Sequence, residues 1–167
     1  MIKKVITFLS AAALVSTASG YLYADACGEF SRDNEAAQAL VNKYMSSVMR
    51  SYEGDEDVSF RGIVKEGCDF WYYNDYNNDL ICEMSKSEGT AESADFSINV
   101  DSVSYSDHCY TIKAEITQEI KYKDSPKAVK SSCAHTFTIE QSGRFMYITN
   151  DISDGTDKLL APAEGNS

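Results

Sequence analysis

Residues 109–122 read "CYTIKAEITQEIKY". Tyr110, Ile112, Ala114, Ile116 and Ile120 share one parity, while Thr111, Lys113, Glu115, Thr117, Glu119 and Lys121 share the other. A period of two is that of a β-strand with one face buried and one in water. The same alternation continues through "SSCAHTFTIEQ" (131–141) and "FMYITNDIS" (145–153), separated by the turn segments "KDSPK" and "QSGR". Upstream, "ADFSINVDSVSY" (94–105) carries Phe96, Ile98 and Val100 in one phase and Val103 and Tyr105 in the other. One inserted residue near Asp101 and Ser102 reconciles the two halves, which predicts a β-bulge.

A single-residue slip would turn every side chain over, so the register can be argued. A first turn centred on Ser125 and Pro126 sets Ile112 against Ile139, Ala114 against Phe137, Ile116 against His135 and Gln118 against Cys133. A second turn centred on Ser142 and Gly143 sets Ile139 against Met146, Phe137 against Ile148, His135 against Asn150 and Cys133 against Ile152. Both hairpins then share one apolar face.

Ahead of the strands, "SRDNEAAQALVNKYMSSVMRSYEG" (31–54) places Ala37, Leu40, Val41, Tyr44, Val48 and Met49 at three-and-four spacing, predicting an amphipathic helix capped by Ser31 or Asp33 and ended by Gly54. "DFWYYNDYNNDLICEMSKSEG" (69–89) gives a second helix, with Tyr73, Tyr76, Leu80 and Met84 on one stripe. Its five aromatics read first as core packing with hydroxyls at the rim, and second as a platform for stacking sugars. The fold class expected is α+β: N-terminal helices packed in the concavity of a curved antiparallel sheet of at least four strands.

A chain of 167 residues suits one domain. Lys3 and Lys4, the apolar run Val5–Val15, and Ala24 and Ala26 ahead of Cys27 make residues 1–26 a signal peptide. A single domain over 27–155 and a flexible tail over 156–167 are expected to follow. The apolar run is too short to span a bilayer, so no transmembrane segment is expected. Cleavage before Cys27 points to secretion, with a lipid anchor on Cys27 as the alternative; Ala24 and Asp25 fit the usual lipoprotein pattern poorly.

Removing residues 1–26 takes away Lys3, Lys4 and Asp25 and leaves 13 basic against 25 acidic side chains, a charge of −12. That balance argues against nucleic acid as a partner. Cys27, Cys68, Cys82, Cys109 and Cys133 survive cleavage, and outside the cytoplasm they can be oxidised, with Cys27 the odd one and three pairings open to the rest. No Cys-x-x-Cys pair, His-Glu-x-x-His, Gly-x-Ser-x-Gly or glycine-rich phosphate loop is present, and "YEGDEDV" lacks the ligand pattern of a calcium loop. No metal and no cofactor is expected.

Helices followed by a long curved meander resemble the cone-shaped nuclear transport factor 2-like superfamily. Residues 94–155, with "SINVDSVSY", "YTIKAEITQEIKY", "SSCAHTFTIEQSGRFMYITND" and "ISDG", also resemble the non-catalytic domain that precedes amidase domains in secreted proteins of Gram-positive bacteria. The segment after Asp154 is too short for a catalytic domain, so hydrolase activity is not carried over. In this superfamily small ligands bind at the open end of the cone, and some members use a His or Asp as general acid/base.

The candidate ligand-binding residues are therefore His135, Asn150, Gln118 and Tyr110, all expected on the inner face. The competing reading is that His135 and Asn150 only satisfy one another inside the sheet. Cys133, two residues from His135, is expected to be structural, and His108 a solvated loop residue. The leading functional expectation is a secreted, non-enzymatic bacterial module that binds a small molecule, a peptide or a protein, with a homodimer among the candidates. The alternative is a small acid/base enzyme, an isomerase, dehydratase or hydrolase-like activity centred on His135. A cystatin-like inhibitor comes third, since the Gln-x-Val-x-Gly loop is absent.

Overall fold

The computed structural model describes residues 20–123, 125, 127–154 and 158–160, with side chains described for 33–84, 89–123, 125 and 127–154. Two helices precede the strands: α1 (Gly20–Tyr52) and α2 (Asp69–Glu88). The strands are β1 (Ala91–Ser106), β2 (Cys109–Tyr122), β3 (Val129–Ser142), β4 (Phe145–Ser153) and the short β5 (Lys158–Leu160). They form one antiparallel sheet in the order β1-β2-β3-β4, with β5 pairing β3 beyond the end of β4. The α+β class and the strand count agree with the sequence reading. Residues 156–167 were expected to be a flexible tail, but Lys158–Leu160 pair with Lys130–Ser132 as a strand. The backbone donors on the edge of β3 that β4 leaves uncovered give this segment its partner.

By contacts the chain divides into two compact units, Met1–Glu35 and Ala36–Ser167. Of the first, only the helical backbone from Gly20 onward is described, together with the side chains from Asp33. The expected signal peptide falls outside the described residues apart from Gly20–Ala26, which belong to α1. Ser31 and Asp33 do not start the helix, as they were expected to do; it runs through them from Gly20. A capping residue stops a helix only where the preceding segment resists helix, and between Gly20 and Ser31 only Gly28 does so.

In the second unit, α1 buries Ala37, Val41, Tyr44, Met45 and Met49 against the inner face of the sheet. The sheet supplies Tyr110, Ile112, Ala114, Ile116, Phe137, Ile139 and Ile148, and the loop between the helices adds Phe60, Ile63 and Val64. The ring of Tyr44 lies within about 6 Å of those of Phe60, Phe70 and Phe137. On the outer face Lys113, Glu115 and Glu119 stand in solvent, as the alternation in β2 requires. Residues 63–65 run alongside β4: Ile148 N–H donates to the Ile63 carbonyl at 2.9 Å, and Lys65 N–H donates to the Ile148 carbonyl at 3.0 Å. Lys65 Nζ then reaches Glu140 Oε2 on β3 at 2.6 Å.

The predicted bulge in β1 is present at Asp101, between the pairs Val100–Ala114 and Ser102–Lys113. It brings Phe96, Ile98, Val100 and Val103 to one core. The hairpin registers differ from the reading by two residues. Ile112 faces Phe137, Ala114 faces His135, Ile116 faces Cys133 and Gln118 faces Ser131. Between β2 and β3, Ser125 N–H donates to the Tyr122 carbonyl and its hydroxyl donates to the Lys127 carbonyl. With Ile120 opposite Val129, the register is not the one that a turn centred on Ser125 and Pro126 would give.

In the β3–β4 hairpin Ser142 pairs Phe145, so Gly143 and Arg144 form the turn and Ile139 faces Ile148. Gly143 takes the positive φ (62°) that a two-residue hairpin turn demands. A shift of two residues preserves faces, so the shared apolar face survives as far as Ile148; beyond it β4 departs from the reading by three, with Phe137 opposite Asp151 and His135 opposite Ser153. The β1–β2 turn uses Asp107 and His108, both at positive φ, and the His108 carbonyl accepts from Gln141 N–H at 2.8 Å.

Candidate functional site

A second bulge, in β4, decides what meets His135. Ile139 pairs Ile148 and Thr138 pairs Asn150, which leaves Thr149 as the extra residue. From there the parity of β4 is reversed. Asn150 lies opposite Thr138 and is exposed, whereas Asp151 lies opposite Phe137 and turns inward. The expected His135–Asn150 pair is therefore corrected to His135–Asp151. Nδ1 of His135 is 2.9 Å from Oδ1 of Asp151, and the two side chains are only 13% and 11% exposed. An ionised carboxylate can only accept, so in this contact Nδ1 is the donor. The imidazole also stacks on Phe137, two residues along β3, at 5.6 Å and 10°.

Above this pair, α2 presents a face opposite to the one its hydrophobic pattern suggested. Phe70, Trp71, Asn74, Asn77, Asn78, Ile81 and Cys82 turn toward the body of the unit, while Tyr72, Tyr73, Tyr76, Leu80 and Met84 are exposed. The expectation that the aromatics of this helix mainly fill the core holds for Phe70 and Trp71 and fails for the three tyrosines. Two of the inward asparagines, Asn74 and Asn78, are held by specific partners. Tyr44 Oη donates to Asn74 Oδ1 at 2.9 Å, and Asn74 Nδ2 donates to the Phe70 carbonyl at 2.7 Å. Ser51 Oγ donates to Asn78 Oδ1 in a short contact. The bonds to Tyr44 and Ser51 need the amides of Asn74 and Asn78 to face α1, which fixes the rotation of α2 about its axis.

Between α1, α2 and the sheet lies a cavity of about 350 Å³. Asn77, Asn78 and Gln118 bring amides to its wall, with His135 and Asp151 on the sheet side and the rings of Tyr44, Phe60, Phe70 and Tyr73 around them. Among the described residues no Lys or Arg lines it. Burial, then the charge of Asp151, then Tyr73, push the Tyr44 hydroxyl far above the ordinary tyrosine range, against a smaller lowering from Asn74, so it remains a neutral donor.

The cavity joins two of the four candidates, His135 and Gln118. Asn150 lines an adjoining, more open pocket of about 560 Å³ with Cys68, Asp69 and Thr149, which shares Phe70, Tyr73 and Asp151 with the cavity. Tyr110 is 1% exposed in the core, its ring 4.5 Å from that of Tyr105. Cys133 also lines the cavity, and its thiol sits 3.2 Å from Asp154 Oδ1. Cys68, Cys82, Cys109 and Cys133 all carry thiols, with no disulfide among the described residues. The Cys109–Cys133 pairing that spacing left open is closed: Cys133 lies opposite Ile116, seven positions along β2 from Cys109 and so roughly 23 Å away.

Asp151, Tyr44 and the three asparagines were missed as site residues. Asn74, Asn77 and Asn78 at helical spacing were a readable signal. The bulge at Thr149 was not, since "YITND" has neither glycine nor a break in composition. Among the described residues no helix is long and apolar enough to cross a membrane, and no group of three or more His, Cys, Asp or Glu side chains is placed to hold a metal ion. No protein-family model, curated protein or solved structure matches the chain.

Proposed function

We propose that this chain is a secreted, non-enzymatic bacterial binding module with a nuclear transport factor 2-like architecture, taking a small uncharged polar ligand into the cavity beneath α2. The observation that carries the reading is the chemistry of the wall. Among the described residues the amides of Asn77 and Gln118 and the Nδ2 of Asn78 make no hydrogen bond, although they line the same cavity as His135. Amides hold hydroxyls and carbonyls in place but move no protons, and the absence of a cation from the lining disfavours anionic ligands. A volume of about 350 Å³ lies at the small end of the range for ligand pockets, the size for a single sugar-like ring.

Ligand-observed NMR against glucose, N-acetylglucosamine, acetate and phosphate tests this directly. Saturation transfer to an uncharged probe, lost in the Asn77→Ala/Gln118→Ala variant, is the expected result; binding confined to the anions, or no binding, would reject it. Intact mass of exported protein starting near Cys27 supports secretion, and a retained Met1 rejects it.

A second reading, a small acid/base enzyme, is favoured by one observation: Asp151 fixes the orientation and tautomer of His135. That support would leave Nε2 as the proton carrier. Turnover lost in His135→Gln while the same probes still bind would select it.

A further inference from the structure

The outer face of α2 sets exposed aromatic rings beside a row of carboxylates. Tyr72, Tyr73 and Tyr76 are 64%, 59% and 68% exposed, and Leu80 and Met84 extend the same stripe toward the helix C-terminus. Asp75, Asp79 and Glu83, each four residues from the next and all exposed, form a ridge along one side of it, and Asp69 adds a carboxylate in the first turn. No Lys or Arg occurs between positions 69 and 84, and among the described residues none of these four carboxylates forms an ion pair. Elsewhere some acids are paired, Asp55 with Arg50, Glu66 with Arg61, Glu92 with Lys121 and Glu119 with Lys130, while the exposed Asp95, Asp101 and Asp107 stand in no ion pair among the described residues; α2 differs in setting its carboxylates beside exposed aromatic rings.

We infer that this face docks a basic peptide segment of a partner protein, whose arginines or lysines lie on the exposed tyrosine rings and pair with the carboxylate ridge. The stripe is contiguous and apolar, which marks an interaction surface more than ordinary scattered exposure does. The charge selects the occupant. Guanidinium groups stack on tyrosine and accept two-point pairing with carboxylates, so one side-chain type satisfies both halves of the surface. Anionic membrane and nucleic acid are repelled by the same ridge. A second copy docking α2 on α2 would set one ridge against the other, an arrangement that costs energy in proportion to its closeness. The docking face and the cavity use different sides of the helix and share Tyr73, whereas Tyr72, Tyr76, Asp75 and Asp79 lie outside the cavity lining.

Fluorescence anisotropy with a labelled helical peptide alternating Arg and Leu, and with its Glu-for-Arg counterpart, tests the inference on the full chain. Expected are binding of the Arg peptide alone, at least a tenfold loss in Tyr72→Ala/Tyr76→Ala, and a weaker, less salt-sensitive interaction in Asp75→Asn/Asp79→Asn. All four positions are exposed, so the urea midpoint should not move, and Glu83→Gln gives a milder version of the charge test. Equal binding of both peptides, no binding, or binding that ignores the α2 variants overturns it. Self-association abolished by Tyr76→Ala assigns the face to a second copy. Binding of soluble β-glucan that needs the tyrosines but not the carboxylates assigns it to a glycan. Either outcome overturns the basic-segment proposal, while the cavity probes remain unaffected.

Discussion

Asp151→Ala should destabilise the protein by about 2–3 kcal/mol, because it leaves the nearly buried His135 Nδ1–H without an acceptor. The bond removed is 2.9 Å long and involves a charged partner, a class that contributes roughly 1.5–3 kcal/mol. His135→Ala should cost a similar amount by stranding the carboxylate. The double variant should cost less than the sum of the singles, with a coupling of about 1–2 kcal/mol, since once either partner is gone the other has nothing left to lose. Asn150→Ala, at an exposed position opposite Thr138, should change stability by no more than about 0.5 kcal/mol. Urea unfolding followed by the single tryptophan, Trp71, reads all four variants. At the slopes usual for small proteins, 2 kcal/mol moves the midpoint by roughly 1 M. If Asn150→Ala proves as costly as Asp151→Ala, or if the costs of Asp151→Ala and His135→Ala simply add, then β4 lacks the bulge at Thr149 and the pairing described above is wrong.

Tyr44→Phe bears on alkaline stability. The folded state holds the Tyr44 proton far above the unfolded chain's value near 10, so native protein binds more protons than unfolded protein above that pH, and stability falls as pH rises. Between pH 10 and 12 the wild type should lose roughly 1.4 kcal/mol per pH unit that Tyr44→Phe does not lose, as read by urea midpoints across the range; parallel curves would refute the burial argument. Gly54→Ala should cost about 1–3 kcal/mol, because Gly54 ends α1 at φ +77° and a Cβ there would come within 2.6 Å of Thr90 Cγ2. Gly67→Ala, at φ +79° with open space, carries the backbone strain alone, so the difference in urea midpoint isolates the clash.

Much of the fold was legible because the strongest signals were periodic. The alternation of Tyr110 to Ile120 placed β2, and the phase change between Val100 and Val103 located the bulge at Asp101. Both hairpin registers were misjudged by two residues, since a turn's centre depends on backbone dihedrals that Ser125 and Gly143 only hint at; the even error left the faces intact. Thr149 was different in kind. Its insertion is fixed by tertiary context, where Ile148 is pinned on both sides by β3 and by residues 63–65, and the strand beyond must relax by one position to meet Thr138. Hence His135 and Gln118 were found while Asp151 was not. The face of α2 was misread because apolar stripes are taken to be buried. Here the hydrogen bonds of Asn74 and Asn78 to Tyr44 and Ser51 hold amides inward, and the tyrosines are left to water.

The extra residue at Thr149 also decides where the gene can lose a codon without moving the charge. A bulged residue has no partner of its own across the ladder, so deleting Thr149 would leave Asn150 opposite Thr138 and Asp151 opposite Phe137, and the carboxylate would stay beside His135. In a regular strand the loss of one residue turns every later side chain over. Here a three-nucleotide deletion would straighten the strand and keep the negative charge on the cavity wall.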